Sequence, residues 1–189
     1  MRGIIYNDTY MKPTKLLPQF DLFLEKGGLT FDAVIIGGAA LSLLGVISRE
    51  TQDCDVLDPK IPEEIQKAAE AFAKQIRKQG GDLREDWLNH GPEELGKVLP
   101  REWKLRLVKL YSGKAIEFQT LGRDDLLKSK LFALCDRGQD LADCLAMKPT
   151  REVLLESLPW LKQQDTNPHW PDHVKDSIQN LAKKLGYGL

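Results

Sequence analysis

Cysteine is scarce in this chain, and its scarcity removes whole classes of protein. The 189 residues hold only Cys54, Cys135 and Cys144, an odd number with no CxxC spacing. That pattern supports neither a disulfide framework nor a zinc site. Long apolar runs are missing too. No window approaches the ~18 residues of a membrane span, and the N-terminus lacks the basic-then-apolar order of a signal peptide. The expectation is a reduced, cytoplasmic protein with no membrane partner. Net charge is nearly absent, formally −1, so nothing global marks a nucleic-acid binder. His169 and His173 have Pro171 between them and no third ligand nearby, which speaks against zinc there. What is present is ordinary for a globular chain, 42% hydrophobic and 29% charged, enough for one substantial core or two small ones.

One local pattern stands out. The apolar run Ala33-Val34-Ile35-Ile36 stops at Gly37-Gly38, a short helical stretch Ala39–Leu44 follows, and Arg49–Val56 reads as a returning strand. Alternate strand residues share a face, so Asp53 and Asp55 would present two carboxylates side by side, with Cys54 and Val56 inward. Hard divalent cations such as Mg²⁺ favour that arrangement, with nucleotide phosphates completing the coordination shell. The glycines let backbone approach phosphate, and the helix start behind them offers free N–H groups. Together these are the parts of a metal-dependent nucleotidyl-transfer site. Arg49 and Thr51 fall on the aspartates' strand face, placed to contact phosphate or to anchor the carboxylates.

The rest of the chain sorts into two compositions. A helix near Leu16–Glu25 precedes the strand unit. Pro62 opens a helix with Ile65, Ala68, Ala69, Phe72 and Ile76 at helical spacing, closed by Gly80-Gly81. Residues 82–103 read as loop, and Leu105–Leu110 and Ala115–Leu121 as strands about Ser112-Gly113. From Asp124 onward the periodicity is helical. The expected fold class is therefore α/β in the α+β sense, a small mixed sheet over residues 1–122 followed by a helical part over 123–189. Cations crowd the stretch Lys97, Arg101, Lys104, Arg106, Lys109 and Lys114, either a solvated face or a surface for triphosphate or RNA.

Lys130 is unusual because it falls inside the apolar stripe of Leu126, Leu127, Leu131 and Leu134. A cation on a packed face needs an anion to offset its desolvation. It reaches a nucleotide phosphate or a partner carboxylate, for which Asp140 and Asp143 on the following helix are candidates, or else it snorkels. Trp87, Trp103, Trp160 and Trp170 read as packing residues.

The Ile35–Ala40 and Arg49–Asp55 segments resemble the minimal nucleotidyltransferases of the polymerase-β-like superfamily. Asp124–Ala133 followed by Arg137–Asp143 is similar to the lysine and aspartate motifs of AbiEii-type toxin nucleotidyltransferases. Asp86–Asn89 and Asn167–Trp170 resemble the group known as DUF6036. The resemblance implies that Gly37 and Gly38 hold triphosphate, Asp53 and Asp55 hold Mg²⁺, and Lys130 and Asp140 line the nucleotide pocket. It implies nucleotidyl transfer from a nucleoside triphosphate to an RNA, protein or small-molecule hydroxyl, with a toxin role and an antitoxin-like protein partner as associated expectations. Two departures weigh toward a site that binds without turnover. Ala39 replaces the usual hydroxyl residue, and a third acid is not obvious, with Glu117 the first candidate and Asp86 the second.

Overall fold

The computed structural model of the chain describes residues 13–49, 51, 53–91 and 94–188. The first residues of the expected lead-in, Glu50 and Gln52 of the expected strand, and Pro92 lie outside the described residues. The chain divides into two compact units. One comprises the described residues up to Gly91 with Lys109–Thr120; the other comprises the described residues between Gly91 and Lys109 and those from Leu121 onward. The stretch 94–108 thus groups with the C-terminal helices, and the second division falls between Thr120 and Leu121.

The first unit runs α1 (Pro13–Lys26), β1 (Phe31–Ile36), α2 (Gly37–Leu43), β2 (Cys54–Asp58), α3 (Glu63–Lys78), β3 (Leu88–His90), β4 (Val108–Ser112, from Lys109) and β5 (Ile116–Thr120). Its five strands form one mixed sheet in the order β3-β2-β1-β5-β4. β1 runs antiparallel to β2 and parallel to β5, and β2 parallel to β3. Alternation decides the faces. Phe31, Ala33, Ile35, Cys54, Val56, Ile116 and Phe118 join the apolar cluster built with α1 and α3. Asp55 and Glu117 belong to the alternating set on the other face.

Aromatic packing locks that core. The Phe20 ring meets Trp87 edge-on at 5.0 Å and Phe72 at 5.3 Å, separations typical of favourable aromatic pairs. Trp87 Nε1 donates to the Ala69 carbonyl at 3.1 Å, so its polar edge is satisfied inside the core. Trp103, Trp160 and Trp170 likewise donate to backbone carbonyls, those of Gly96, Val98 and Leu161. All four tryptophans are packing residues. The carboxylate of Asp21, 5% exposed on α1, accepts hydrogen bonds from the backbone N–H groups of Lys114, Ala115 and Ile116 at 3.2, 2.8 and 2.9 Å. It thereby pins the β4–β5 turn to the helix. A Cβ at Gly113 would collide with this carboxylate.

The second unit holds α4 (Leu95–Val98), a short 3-10 turn (Trp103–Arg106), α5 (Arg123–Arg137), α6 (Leu141–Met147), α7 (Arg151–Lys162) and α8 (Trp170–Lys184). Leu126, Leu131, Leu154, Leu161, Val174 and Ile178 are wholly buried in it. Thr150 caps α7 through its side chain, accepting from Val153 N–H, as an N-cap threonine does. Among the described residues no helix is long and apolar enough to cross a membrane.

Candidate active site

Strand β1 ends where Gly37 takes φ +75°, in the left-handed region that glycine enters without steric cost. Because β1 stops at Ile36, β2 has no β1 partner before Asp55, which pairs with Ile36. That explains a departure from the sequence expectation. The strand begins at Cys54, not Arg49, so Arg49, Thr51 and Asp53 lie in the irregular segment that leads into it. The alternation nonetheless reaches back through Asp53. Asp53 and Asp55 are half-buried, while Cys54 and Val56 are 5% and 2% exposed.

The glycine turn is pressed against Asp55 and the segment that leads into β2. A Cβ on Gly37 would collide with Asp55 Oδ2, and one on Gly38 would stand 3.1 Å from Thr51 Oγ1 and 3.5 Å from an Arg49 guanidinium nitrogen. Glycine at 37 is therefore a condition for seating Asp55 as it is, while a Cβ at 38 would press Thr51 by a few tenths of an ångström and meet Arg49 in ordinary contact. Thr51 Oγ1 also donates to the Asp53 carbonyl at 3.3 Å. The Cys54 thiol between the two acids is pushed far up, first by burial, then by the negative charge of Asp55 and then Asp53. Its chemistry is silenced.

Two flanking side chains were not singled out from the sequence. Asn89 on β3 pairs in register with Asp55. With its amide turned so that nitrogen faces the acceptors, it donates to Asp55 Oδ1 at 3.1 Å. Arg84 forks onto Asp86, Nε to Oδ1 at 2.9 Å and Nη2 to Oδ2 at 2.5 Å, while its Nη1 stands 3.4 Å from Asp53 Oδ1. That last contact is ion-pair distance but not a hydrogen bond. Asp53 Oδ1 is shut off from solvent and accepts no hydrogen bond. Asn89 lies in the Asp86–Asn89 block that carries part of the family resemblance, but a three-residue strand is too short to show by alternation which way its side chain faces, and Arg84 has no sequence signal.

Asp53 Oδ1, buried without a hydrogen bond though at ion-pair distance from Arg84, and the Asp55 carboxylate on the same strand face are hard oxygen donors of the kind one divalent cation takes. The donor set goes no further than that pair. Among the described residues no group of three or more His, Cys, Asp or Glu side chains is arranged to hold a metal ion.

Glu117, expected first as the third acid, is placed elsewhere by the sheet register. Asp55 is level with Ile36 and Glu117 with Asp32. Four residues of β1, roughly 13 Å, separate those levels along the sheet, in addition to two strand spacings of about 4.8 Å. The Glu117 carboxylate instead binds Lys109 Nζ at 2.9 Å and accepts from Ser112 Oγ at 2.9 Å. Lys109 first, then Ser112, hold it below the ordinary carboxylate range. Asp86 is taken up by Arg84, whose hydrogen bonds hold its carboxyl low as well.

Lys130 and Asp140 lie in the second unit. Lys130, 6% exposed, does not snorkel. Its ammonium pairs with Asp143 Oδ2 at 2.8 Å and Asp140 Oδ2 at 3.2 Å. The anion that its place in the apolar stripe demanded is thus supplied by α6 and the residue before it.

The family model of DUF6036, described as a nucleotidyltransferase of unknown function, matches residues 15–175. The chain belongs to this family. The matched span takes in the glycine turn, the Asp53–Asp55 pair, Lys130 and Asp140. No curated protein and no solved structure matches the chain.

Proposed function

We propose that this member of DUF6036 transfers a nucleotidyl group from a nucleoside triphosphate to a hydroxyl acceptor, with Mg²⁺ held by Asp53 and Asp55. The observation that carries the reading is the seating of Asp55 against a Gly37 that cannot bear a Cβ. It supports a metal-binding carboxylate beside the glycine turn that would take the phosphates. Bound there, the cation supplies Lewis-acid stabilisation of charge at the transferred phosphorus. Gly37 and Gly38 keep backbone open to the triphosphate, with Arg49 and Thr51 beside Gly38 to bind its oxygens. Asn89 orients Asp55, and Arg84 offsets the charge of Asp53 and Asp86. The acceptor oxygen forms its bond to the α-phosphorus as the bond to pyrophosphate breaks, and the hydroxyl proton passes to water. Nucleotide contacts by Lys130 and Asp140, an RNA or protein acceptor, a toxin role and an antitoxin-like partner belong to the proposal through family resemblance alone.

A second reading has an observation of its own in the lack of a three-acid group. Glu117 and Asp86, the two expected third acids, are each engaged by a cation, so neither stands free to take the acceptor's proton. The chain would then bind nucleotide, or a partner, without turnover. Labelled nucleoside triphosphates with Mg²⁺ separate the two readings. Pyrophosphate release that disappears in Asp53→Asn and Asp55→Asn supports transfer. A nucleotide-dependent thermal shift without pyrophosphate release supports the binding module. No release and no shift defeats both.

A further inference from the structure

A second basic site lies wholly within the helical unit. The loop at Pro100-Arg101, the Arg106 strap and the first turn of α5 enclose a pocket of about 320 Å³ lined by Arg101, Arg106, Arg123, Asp124, Asp125 and Lys128. We propose that this pocket binds the phosphate of a phosphorylated ligand, either a terminal monoester or a backbone diester.

Charge bookkeeping residue by residue points that way. Asp125, 2% exposed, is neutralised by Arg106, which donates through Nε at 2.7 Å and Nη2 at 3.1 Å. The same guanidinium reaches the Arg101 and Pro100 carbonyls at 3.1 and 3.4 Å. Arg106 is therefore spent on building the wall. Gly122 lets that wall come close, since a Cβ there would stand 2.8 Å from the Arg106 carbonyl oxygen. Arg123 commits one nitrogen to the Met147 carbonyl at 2.6 Å and keeps its other N–H groups. Among the described residues no hydrogen bond or ion pair holds the Arg101 or Lys128 side chain.

Three available cations, Arg101, Arg123 and Lys128, thus line the pocket with one exposed carboxylate, Asp124, while Glu102 adds a second negative charge near Arg106, and the pocket's shape is preset. Guanidinium groups match phosphate oxygens in a bidentate fork, and Lys128 adds a point charge. The volume lies near the lower end of small-ligand sites and suits a phosphate with its attached sugar. The first-turn N–H groups of α5 add partial positive charge at the floor, but the side chains carry the argument.

The inference does not depend on Asp53 and Asp55, and the test is arranged to keep the two apart. Binding is measured in EDTA on the full chain carrying Asp53→Asn and Asp55→Asn. The probes are a 5′-phosphorylated ribo-oligonucleotide, the same oligonucleotide with a free 5′-hydroxyl, and inorganic phosphate as competitor. We expect at least one oligonucleotide to bind and inorganic phosphate to compete. Arg101→Glu and Lys128→Glu should each weaken binding tenfold or more. Lys128→Arg should retain it, and Lys175→Glu, on the exposed face of α8, should change it less than twofold. Preference for the phosphorylated end identifies a monoester site, and equal binding of both oligonucleotides identifies a diester site. Far-ultraviolet circular dichroism confirms that each variant is folded. No binding by any probe, unchanged binding in folded Arg101→Glu and Lys128→Glu, or an equal loss in Lys175→Glu overturns the proposal.

Discussion

Replacing Lys130 with Met keeps the length and apolar stem of the side chain while removing its ammonium. The structure says what is left behind. Asp143, with a side chain 2% exposed, loses a cation at 2.8 Å, and Asp140, 24% exposed, loses one at 3.2 Å. Asp140 can recover hydration at its exposed edge, so the cost falls on Asp143. Breaking a buried ion pair from one side costs about 3–5 kcal/mol, because the buried carboxylate loses its cation. For a domain of ordinary stability that is a large fraction of the total. Urea unfolding should show a correspondingly lower midpoint with little change in slope. The decisive comparison is Lys130→Met with Asp143→Asn. Removing the Asp143 charge as well takes away the buried carboxylate that the lost ammonium had paired, so the double variant should recover at least ~2 kcal/mol relative to Lys130→Met alone. An unfolding midpoint for Lys130→Met equal to the parent's would refute the reasoning. So would a double variant no more stable than the single, since the loss would then not come from the stranded carboxylate. The double variant also isolates any nucleotide contact by Lys130, because a fall in nucleotide affinity that persists after stability is restored is not a folding effect.

Two further outcomes follow from the first unit. Gly37→Ala should weaken Mg²⁺-dependent nucleotide binding at least tenfold, because the new Cβ displaces Asp55. Gly45→Ala is the matched control, with φ +70° but nothing within 4 Å of its Cβ. It should share the ~1–2 kcal/mol left-handed strain and leave binding intact, and equal binding losses in the two would count against the seating argument. Burial opposes ionisation of Asp21, but its three backbone donors and Lys114 outweigh it and hold the carboxyl below its ordinary value of 3.8. A depressed folded pKa means the unfolded chain takes up the proton first as pH falls. The contribution is therefore complete above the unfolded value, about 3.9, and is lost below it as pH drops through the folded value. Asp21→Asn should cost about 1.5–3 kcal/mol at neutral pH. Its deficit against the parent should shrink below about pH 4, and a deficit that stays constant into that range would show that the charge is not what matters.

Much of this protein is legible without coordinates. Helical spacing of Ile65, Phe72 and Ile76 and the stripe in α5 are local consequences of a repeat of 3.6 residues, so α3 and α5 fall where the pattern puts them. The glycine pair and the two aspartates are likewise recognisable in one short segment, as is the demand of Lys130 for an anion, which follows from desolvation alone. What sequence could not assign were relations that depend on partners distant along the chain. β2 starts at Cys54 rather than Arg49 because β1 has already turned away at Gly37, and a strand extends only as far as its ladder partner. Glu117 alternates as expected on its own strand, yet register on β1 sets it level with Asp32 instead of Ile36 and gives it Lys109. Asn89 reaches Asp55 only through the pairing of β3 with β2, and Arg106 reaches Asp125 across nineteen residues of chain. Composition and period determine which faces are apolar and where carboxylates can be presented. Register and long-range pairing decide which of those groups meet, because a hydrogen-bonded ladder fixes neighbours that spacing along a single strand leaves open.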